Sequence, residues 1–190
     1  MQRSRAGTLI LVVGPSGSGN DTLIGGARER LGSEGVFSFP GREITRHAAS
    51  GGEDHLPLSA VEFDARRAAG RYALHWEAHG LGYCIPATIG DSLAAGRHVV
   101  INVSRGVIVE ARGRFAPVRV IAVRVSPGTL KARIEARGRE DAAAIAARLA
   151  RAEAYGALDP EVVPFDNDGP LAEAVERFVA LLGRLTPRSL

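Results

Sequence analysis

The run Leu9-Ile10-Leu11-Val12-Val13 followed by Gly14-Pro15-Ser16-Gly17-Ser18-Gly19-Asn20-Asp21-Thr22 limits the possible folds more than any other stretch of the chain. Five consecutive apolar residues are too few to cross a membrane and read as a strand buried on both faces. Three glycines in six residues then allow a tight turn, and a helical pattern runs from Asp21 to Leu31. Strand, glycine turn and helix together make an anion cradle. The backbone N–H groups of the turn converge on one spot, and the positive end of the helix dipole points at it. The spacing Gly14-x4-Gly19 is that of a phosphate-binding loop, which ordinarily continues with Lys and then Ser or Thr. Here it continues Asn20-Asp21-Thr22, so the cradle is complete and its lysine is replaced.

That replacement bears on chemistry more than on fold. Backbone donors still hold phosphate oxygens, and the Asn20 amide can donate a hydrogen bond, but it brings no positive charge to a transferring phosphoryl group. Lys131 is the only lysine among 24 basic residues. Unless Lys131 swings in, an arginine or a metal ion must supply the missing charge. Restoring a lysine at position 20 is expected to raise turnover about a hundredfold or more, unless another group has taken over its role.

The rest of the chain alternates strands and helices. Short strands are expected at 36–39 and 42–46, with a polar loop over Ser50–His55. A capping box, Ser59-x-x-Glu62, opens a helix over 60–69. A hairpin is expected from Tyr72–Trp76 and Tyr83–Ile85, with Glu77–Gly82 as its loop. Further strands are expected at His98–Val103, Val118–Val125 and Val162–Phe165. Helices are expected from Thr88 to Gly96, up to Phe115, from an Ser126-Pro127 start to Arg137, over Asp141–Tyr155 and over Leu171–Leu185. This rhythm implies an α/β fold with a mostly parallel central sheet and ligands at the strands' C-terminal ends. Residues 41–85 interrupt it and read as an insertion carrying a substrate site.

The 190 residues suit one domain. A single cysteine, Cys84, excludes an internal disulfide and fits a reducing, cytoplasmic setting. The net charge of +3 is spread along the chain and aromatics are 5%. That is unlike a basic block interleaved with rings, so no nucleic-acid partner is expected. No membrane span or zinc-ligand spacing is visible, and a monomer or homodimer is expected.

The loop Gly-Pro-Ser-Gly-Ser-Gly, the block Ile44-Thr45-Arg46 and Arg137-Gly138-Arg139-Glu140 resemble the guanylate-kinase-like P-loop kinases. Four blocks are similar to the ribose 1,5-bisphosphate phosphokinases of phosphonate catabolism in particular. They are Arg42-x-Ile44-Thr45-Arg46, Gly52-Glu53-Asp54-His55, Trp76-x-Ala78-x-Gly80-Leu81-x-Tyr83 and Asn167-Asp168-Gly169. The resemblance covers nearly the whole chain. It implies a nucleoside-monophosphate-kinase-like three-layer fold with a core of residues 1–40, 86–130 and 158–190. It also implies an acceptor-binding insertion at 41–85 and a helical lid at 131–157.

The implied reaction moves a phosphoryl group from ATP, with Mg2+, to the 5-phosphate of ribose 1,5-bisphosphate, giving 5-phosphoribosyl 1-diphosphate. The implied nucleotide site is Gly14, Pro15, Ser16, Gly17, Ser18, Gly19, Asn20, Asp21, Thr22, Arg133 and Asn167, with Asp21 and Thr22 as metal ligands. Asn20 and the lid residues Arg137, Arg139 and Arg148 would act in catalysis. Arg42, Thr45, Arg46, Glu53, His55 and Tyr83 would hold the phosphorylated sugar. Each has a plainer alternative. The Arg42–Arg46 segment could be a solvated edge strand, Tyr83 a core residue, Arg133 part of a salt-bridged helix face, and Asn167 part of a turn. Guanylate kinases read their base with two acidic side chains. The corresponding places here hold His75 and Ser104, which argues against a guanylate-type nucleoside monophosphate kinase. A catalytically silent fold that binds a phosphorylated ligand is the remaining alternative, and Asn20 is its main support.

Overall fold

The structure is a computed structural model that describes residues 6–46, 55–136, 150 and 161–186. Five strands form a wholly parallel sheet: β1 (Leu9–Val13), β2 (Phe37–Ser38), β7 (His98–Asn102), β8 (Val118–Arg124) and β9 (Val162–Asp166), in the order β2-β7-β1-β8-β9. β1 lies at the centre, and all five of its residues are fully buried. Its unbroken apolar run follows from that position, because both faces of a parallel sheet are covered.

The two faces carry separate cores. On one face Ile10 and Val12 pack with Leu23, Ile24 and Ala27 of α1 (Asn20–Leu31), and with Val175, Phe178 and Leu182 of the last helix (Leu171–Leu185). On the other, Leu9, Leu11 and Val13 pack with Ile89 and Leu93 of α3 (Ile89–Ala94) and with Ile108 and Ala111 of α4 (Ile108–Arg114). Helix, sheet and helix thus form the three expected layers.

A second sheet is drawn from residues 42–86: β3 (Arg42–Ile44), β4 (His55–Pro57), β5 (Tyr72–Ala78) and β6 (Leu81–Pro86), in the order β4-β3-β6-β5. Helix α2 (Ala60–Ala68) starts at Ser59 with both hydrogen bonds of the capping box formed. The β5–β6 hairpin is tighter than the sequence suggests. Its strands run to Ala78 and from Leu81, leaving only His79 and Gly80 in the turn, both at positive φ (53° and 73°). Leu74 and Ile85 join the core beneath β1, so this sheet is anchored to the main one through its hairpin.

α5 (Pro127–Ala136) begins as expected, with the Ser126 hydroxyl accepting from Thr129 N–H. The last helix is termed α6 below. The expected helix over 141–155 falls outside the described residues.

His98, at the start of β7, ties the chain's entry to the sheet. Its Nδ1 accepts from Thr8 N–H at 2.9 Å, and burial holds its pKa below the ordinary 6.5. A protonated Nδ1 could not accept that bond, so the unfolded chain takes up the proton more readily. Stability should therefore fall as pH drops through and below 6.5. Urea unfolding at about pH 7.5 and about pH 5.5 checks this, and His98→Gln should show the smaller loss between the two.

Candidate active site

The glycine loop leaves the C-terminal end of β1 and turns into α1. Gly17 (φ 95°) and Gly19 (φ 92°) adopt left-handed backbone, which only glycine takes without strain. Packing also leaves Gly14 and Gly17 no room for a side chain. A Cβ on Gly14 would lie 2.6 Å from Ser18 Oγ and 2.7 Å from Asn20 Oδ1, and one on Gly17 would meet Leu130 of α5 at 2.9 Å. The turn is therefore built by packing as well as by dihedral freedom.

Asn20 is buried and turned under the loop. Its Oδ1 accepts from Ser18 Oγ (2.8 Å) and its Nδ2 donates to Asn102 Oδ1 (3.2 Å). Asn102 closes β7 beside the loop, and its own Nδ2 donates to Asp21 Oδ1 at 2.8 Å. The same Asp21 oxygen accepts from Arg42 Nη2 at 2.8 Å. A chain of polar contacts thus runs from the loop, through Asn102 and Asp21, to the first strand of the second sheet. Sequence reading missed Asn102. Its signal was a polar residue ending an apolar strand next to β1, where parallel sheets place their ligands. Thr22 lines a groove between α1 and α6 together with Gly25, Gly26, Leu171 and Val175.

The other flank of the loop is clamped by Arg133 and Asn167. Arg133 donates to Ser18 O (3.2 Å) and to Asn167 O (2.7 Å), and Asn167 Nδ2 donates to Ser18 O (2.7 Å). These contacts replace the salt-bridged helix face that the sequence allowed for Arg133. It is Lys131 that lies along the helix surface, 3.9 Å from Glu135. Asp168, also missed, pins the β9–α6 connection to the start of α5 by accepting from Ser126 N–H and Oγ, each at 2.9 Å. The Ser126 N–H is the main reason its carboxyl is held below the usual range.

On the second sheet, Arg42 lies over the Tyr83 ring (6.0 Å to the centroid), and Tyr83 stacks on Trp76 with centroids 5.4 Å apart and planes 5° apart. Thr45 uses its side chain to fix the sheet: its Oγ1 accepts from Gly82 N–H at 2.8 Å. Arg46 is half-buried and lines a cavity of about 360 Å3 with Pro57, Leu58 and Ser59. The His55 Nε2 lies 3.2 Å from the Arg46 carbonyl. The two places expected to correspond to base-reading acids hold neutral groups engaged elsewhere. The His75 ring meets Phe63 and Tyr72 edge-on, and Ser104 Oγ caps a short turn by accepting from Gly106 N–H. The buried carboxylate of this sheet, Glu43, is paired with Arg66 at 2.8 Å. Cys84, against Glu43, is pushed up to about 11 by burial, so its thiol stays protonated. Glu53, Arg137, Arg139 and Arg148 lie outside the described residues.

A nucleotide fits what is present. The loop is a cradle that a Cβ would fill, and the Asn167 Oδ1, buried beside it, has no hydrogen-bond partner and can accept from an exocyclic amine. Among the described residues no group of three or more His, Cys, Asp or Glu could hold a metal ion, so a cation here would rely on phosphate oxygens and water, with Asp21 adjacent.

A glycine cradle at the end of a central parallel strand, faced by an arginine-bearing second sheet, defines a P-loop kinase of guanylate-kinase-like build. A guanylate kinase from Anaplasma phagocytophilum shares this fold with a TM-score of 0.65 at 18% identity, covering 100% of this chain and 90% of that one. No family model matches the chain. Its sequence is 44% identical to the ribose 1,5-bisphosphate phosphokinase PhnN of Desulfomicrobium baculatum, over 92% of this chain and 93% of the relative. It is also 44% identical to a bifunctional ribose 1,5-bisphosphokinase-thymidine phosphorylase of Azorhizobium caulinodans, over 96% of this chain but only 26% of that larger protein. The chain belongs to the ribose 1,5-bisphosphate phosphokinase family. No helix among the described residues is long and apolar enough to cross a membrane.

Proposed function

We propose that this protein transfers the γ-phosphoryl group of Mg2+-bound ATP to ribose 1,5-bisphosphate, forming 5-phosphoribosyl 1-diphosphate and ADP. A product with its diphosphate on C1 requires the C1 phosphate to be the acceptor. The expectation that the 5-phosphate accepts is therefore corrected by atom balance. The observation that carries the reading is the Arg42–Asp21 contact, which brings the arginine edge of the second sheet to the mouth of the phosphate cradle.

In this reading the residues divide by position. The N–H groups of the loop hold the β- and γ-phosphates, and the Arg133–Asn167 clamp fixes the loop and lines the place of the base. Residues 41–85 form the acceptor-binding part, where Arg46 and Tyr83 hold phosphate, with Thr45 tying the end of β3 to β6. The lid implied for residues 131–157 would bring Arg137, Arg139 and Arg148 to the transfer. Magnesium neutralises the charge that builds on the phosphate oxygens when it is bound. The neutral groups at His75 and Ser104 leave a guanine base without its acidic partners, which favours a sugar phosphate over GMP.

The test is turnover of ATP with ribose 1,5-bisphosphate or with GMP, followed by phosphorus NMR. A new diphosphate signal on the sugar, formed faster than GDP, is the expected result; faster GDP formation would sink the acceptor assignment. The inward turn of Asn20 favours a second reading, a silent fold that still binds nucleotide. Mg·ATP binding by calorimetry without turnover of any phosphorylated acceptor would establish it.

A further inference from the structure

We propose that Arg42 supplies the positive charge at the transferring phosphoryl group that position 20 lacks. This rests on the kinase reading above, but it assigns Arg42 to the γ-phosphate of the donor as well as to the acceptor side. Four features carry it. Asn20, where the motif expects a lysine, points inward with its amide engaged by Ser18 and Asn102. Lys131 lies on the surface of α5 beside Glu135. Arg133 is bound to the carbonyls of Ser18 and Asn167, on the flank of the loop away from the second sheet. Arg42 alone among these cations meets the residue directly after Asn20, through Asp21 at 2.8 Å.

The geometry is that of a held cation rather than a mobile surface arginine. The Arg42 side chain is only 12% exposed, whereas that of Asp21 is 50% exposed. The Tyr83 ring supports the guanidinium from one side and the Asp21 carboxylate from another. Asp21 is itself fixed by Asn102, so the pair does not depend on one contact. Asp21 is thus a positioning residue, and Arg42 is the group that reaches the phosphates. In the transfer, an oxygen of the acceptor phosphate forms a bond to the γ-phosphorus. The bond from that phosphorus to the β–γ bridging oxygen breaks, and ADP leaves with the electron pair. Arg42 exchanges no proton, since guanidinium stays protonated; it stabilises the charge on the equatorial oxygens. An arginine in this role is worth about a thousandfold or more in rate.

Two measurements test the assignment. The first needs no acceptor: calorimetry with Mg·ATP and Mg·ADP. A cation facing the γ-phosphate should make the protein bind ATP at least about tenfold tighter than ADP. Arg42→Gln, which removes the charge but keeps a polar side chain, should remove that preference while its melting temperature stays near that of the parent. The second is rescue. Adding Asn20→Lys to Arg42→Gln should restore the ATP preference, and should recover at least about tenfold of a turnover loss of about a thousandfold. The proposal is overturned if the parent protein binds ATP and ADP equally. It is also overturned if Arg42→Gln keeps the preference and raises only the KM for the acceptor, or if Asn20→Lys gives the same gain with and without Arg42. Absence of turnover with ribose 1,5-bisphosphate would instead strike the acceptor reading, and the calorimetric preference would still decide the place of Arg42.

Discussion

Gly19→Ala is expected to weaken Mg·ATP binding by about a hundredfold while the chain still folds. Gly19 sits at φ 92°, just before α1, where a residue with a Cβ pays about 1–2 kcal/mol. The new Cβ would also lie 2.6 Å from Asn167 Nδ2, the atom that holds the Ser18 carbonyl. Relief of that contact must move either the loop or Asn167, and both line the same cradle. Binding therefore carries the loss, because the N–H groups no longer converge and the clamp on Ser18 is opened. The core beneath should be spared: Leu23 meets Gly19 only through a backbone hydrogen bond, its N–H donating to Gly19 O at 3.0 Å, and the side chains of Leu23, Ile24 and Ala27 pack with β1. Calorimetry with Mg·ATP and a thermal melt check both halves. A variant with unchanged affinity and only a lower melting temperature would show that this glycine serves folding rather than phosphate binding.

Much of this architecture was legible because it depends on local pattern. The fully apolar β1 could only be a central strand, the capping box at Ser59 and Glu62 formed as written, and the closing helix spans Leu171–Leu185 as its periodicity required. The shape of the loop was legible where its glycines set the turn. What escaped were contacts between distant segments. Arg133 reaches Ser18 across 115 positions, and Asn102 reaches Asp21 across 81, so neither pairing can be read from neighbouring residues. Arg133 stands at i, i+4 with Arg137 and has Glu135 and Glu140 nearby in sequence, and that pattern alone cannot tell a surface charged face from a clamp on a remote carbonyl. The hairpin turn was read too long because Gly80 and Gly82 both look like turn residues. The structure uses Gly80 in the turn and places Gly82 in β6, where a Cβ would lie 2.9 Å from the Phe63 ring.

Arg46→Ala is expected to lower kcat/KM for ribose 1,5-bisphosphate by about a hundred- to a thousandfold, while Mg·ATP affinity changes by no more than about threefold. The backbone around Arg46 is held firmly. Thr45 exchanges two hydrogen bonds with Gly82, Arg46 N–H donates to Ile44 O at 2.7 Å, and the His55 ring lies on the Arg46 carbonyl. The nearby start of α2 offers no substitute for the lost charge. Ser59 Oγ already takes the Glu62 N–H, and the Glu62 carboxylate takes the Ser59 N–H. That bond is also the main cause of its lowered pKa, which keeps a negative charge at the helix end. An anion in the cavity beside Pro57 and Leu58 therefore depends on Arg46. Two charge-assisted hydrogen bonds to a phosphate, at about 1.5–3 kcal/mol each, account for the expected loss. The Arg133–Asn167 clamp lies on the opposite flank of the loop and is unaffected by this change, so nucleotide binding should survive. Steady-state kinetics in acceptor, set beside calorimetry with Mg·ATP, separates the two sites. Equal losses in both would mean that Arg46 supports the fold of the second sheet rather than the acceptor phosphate.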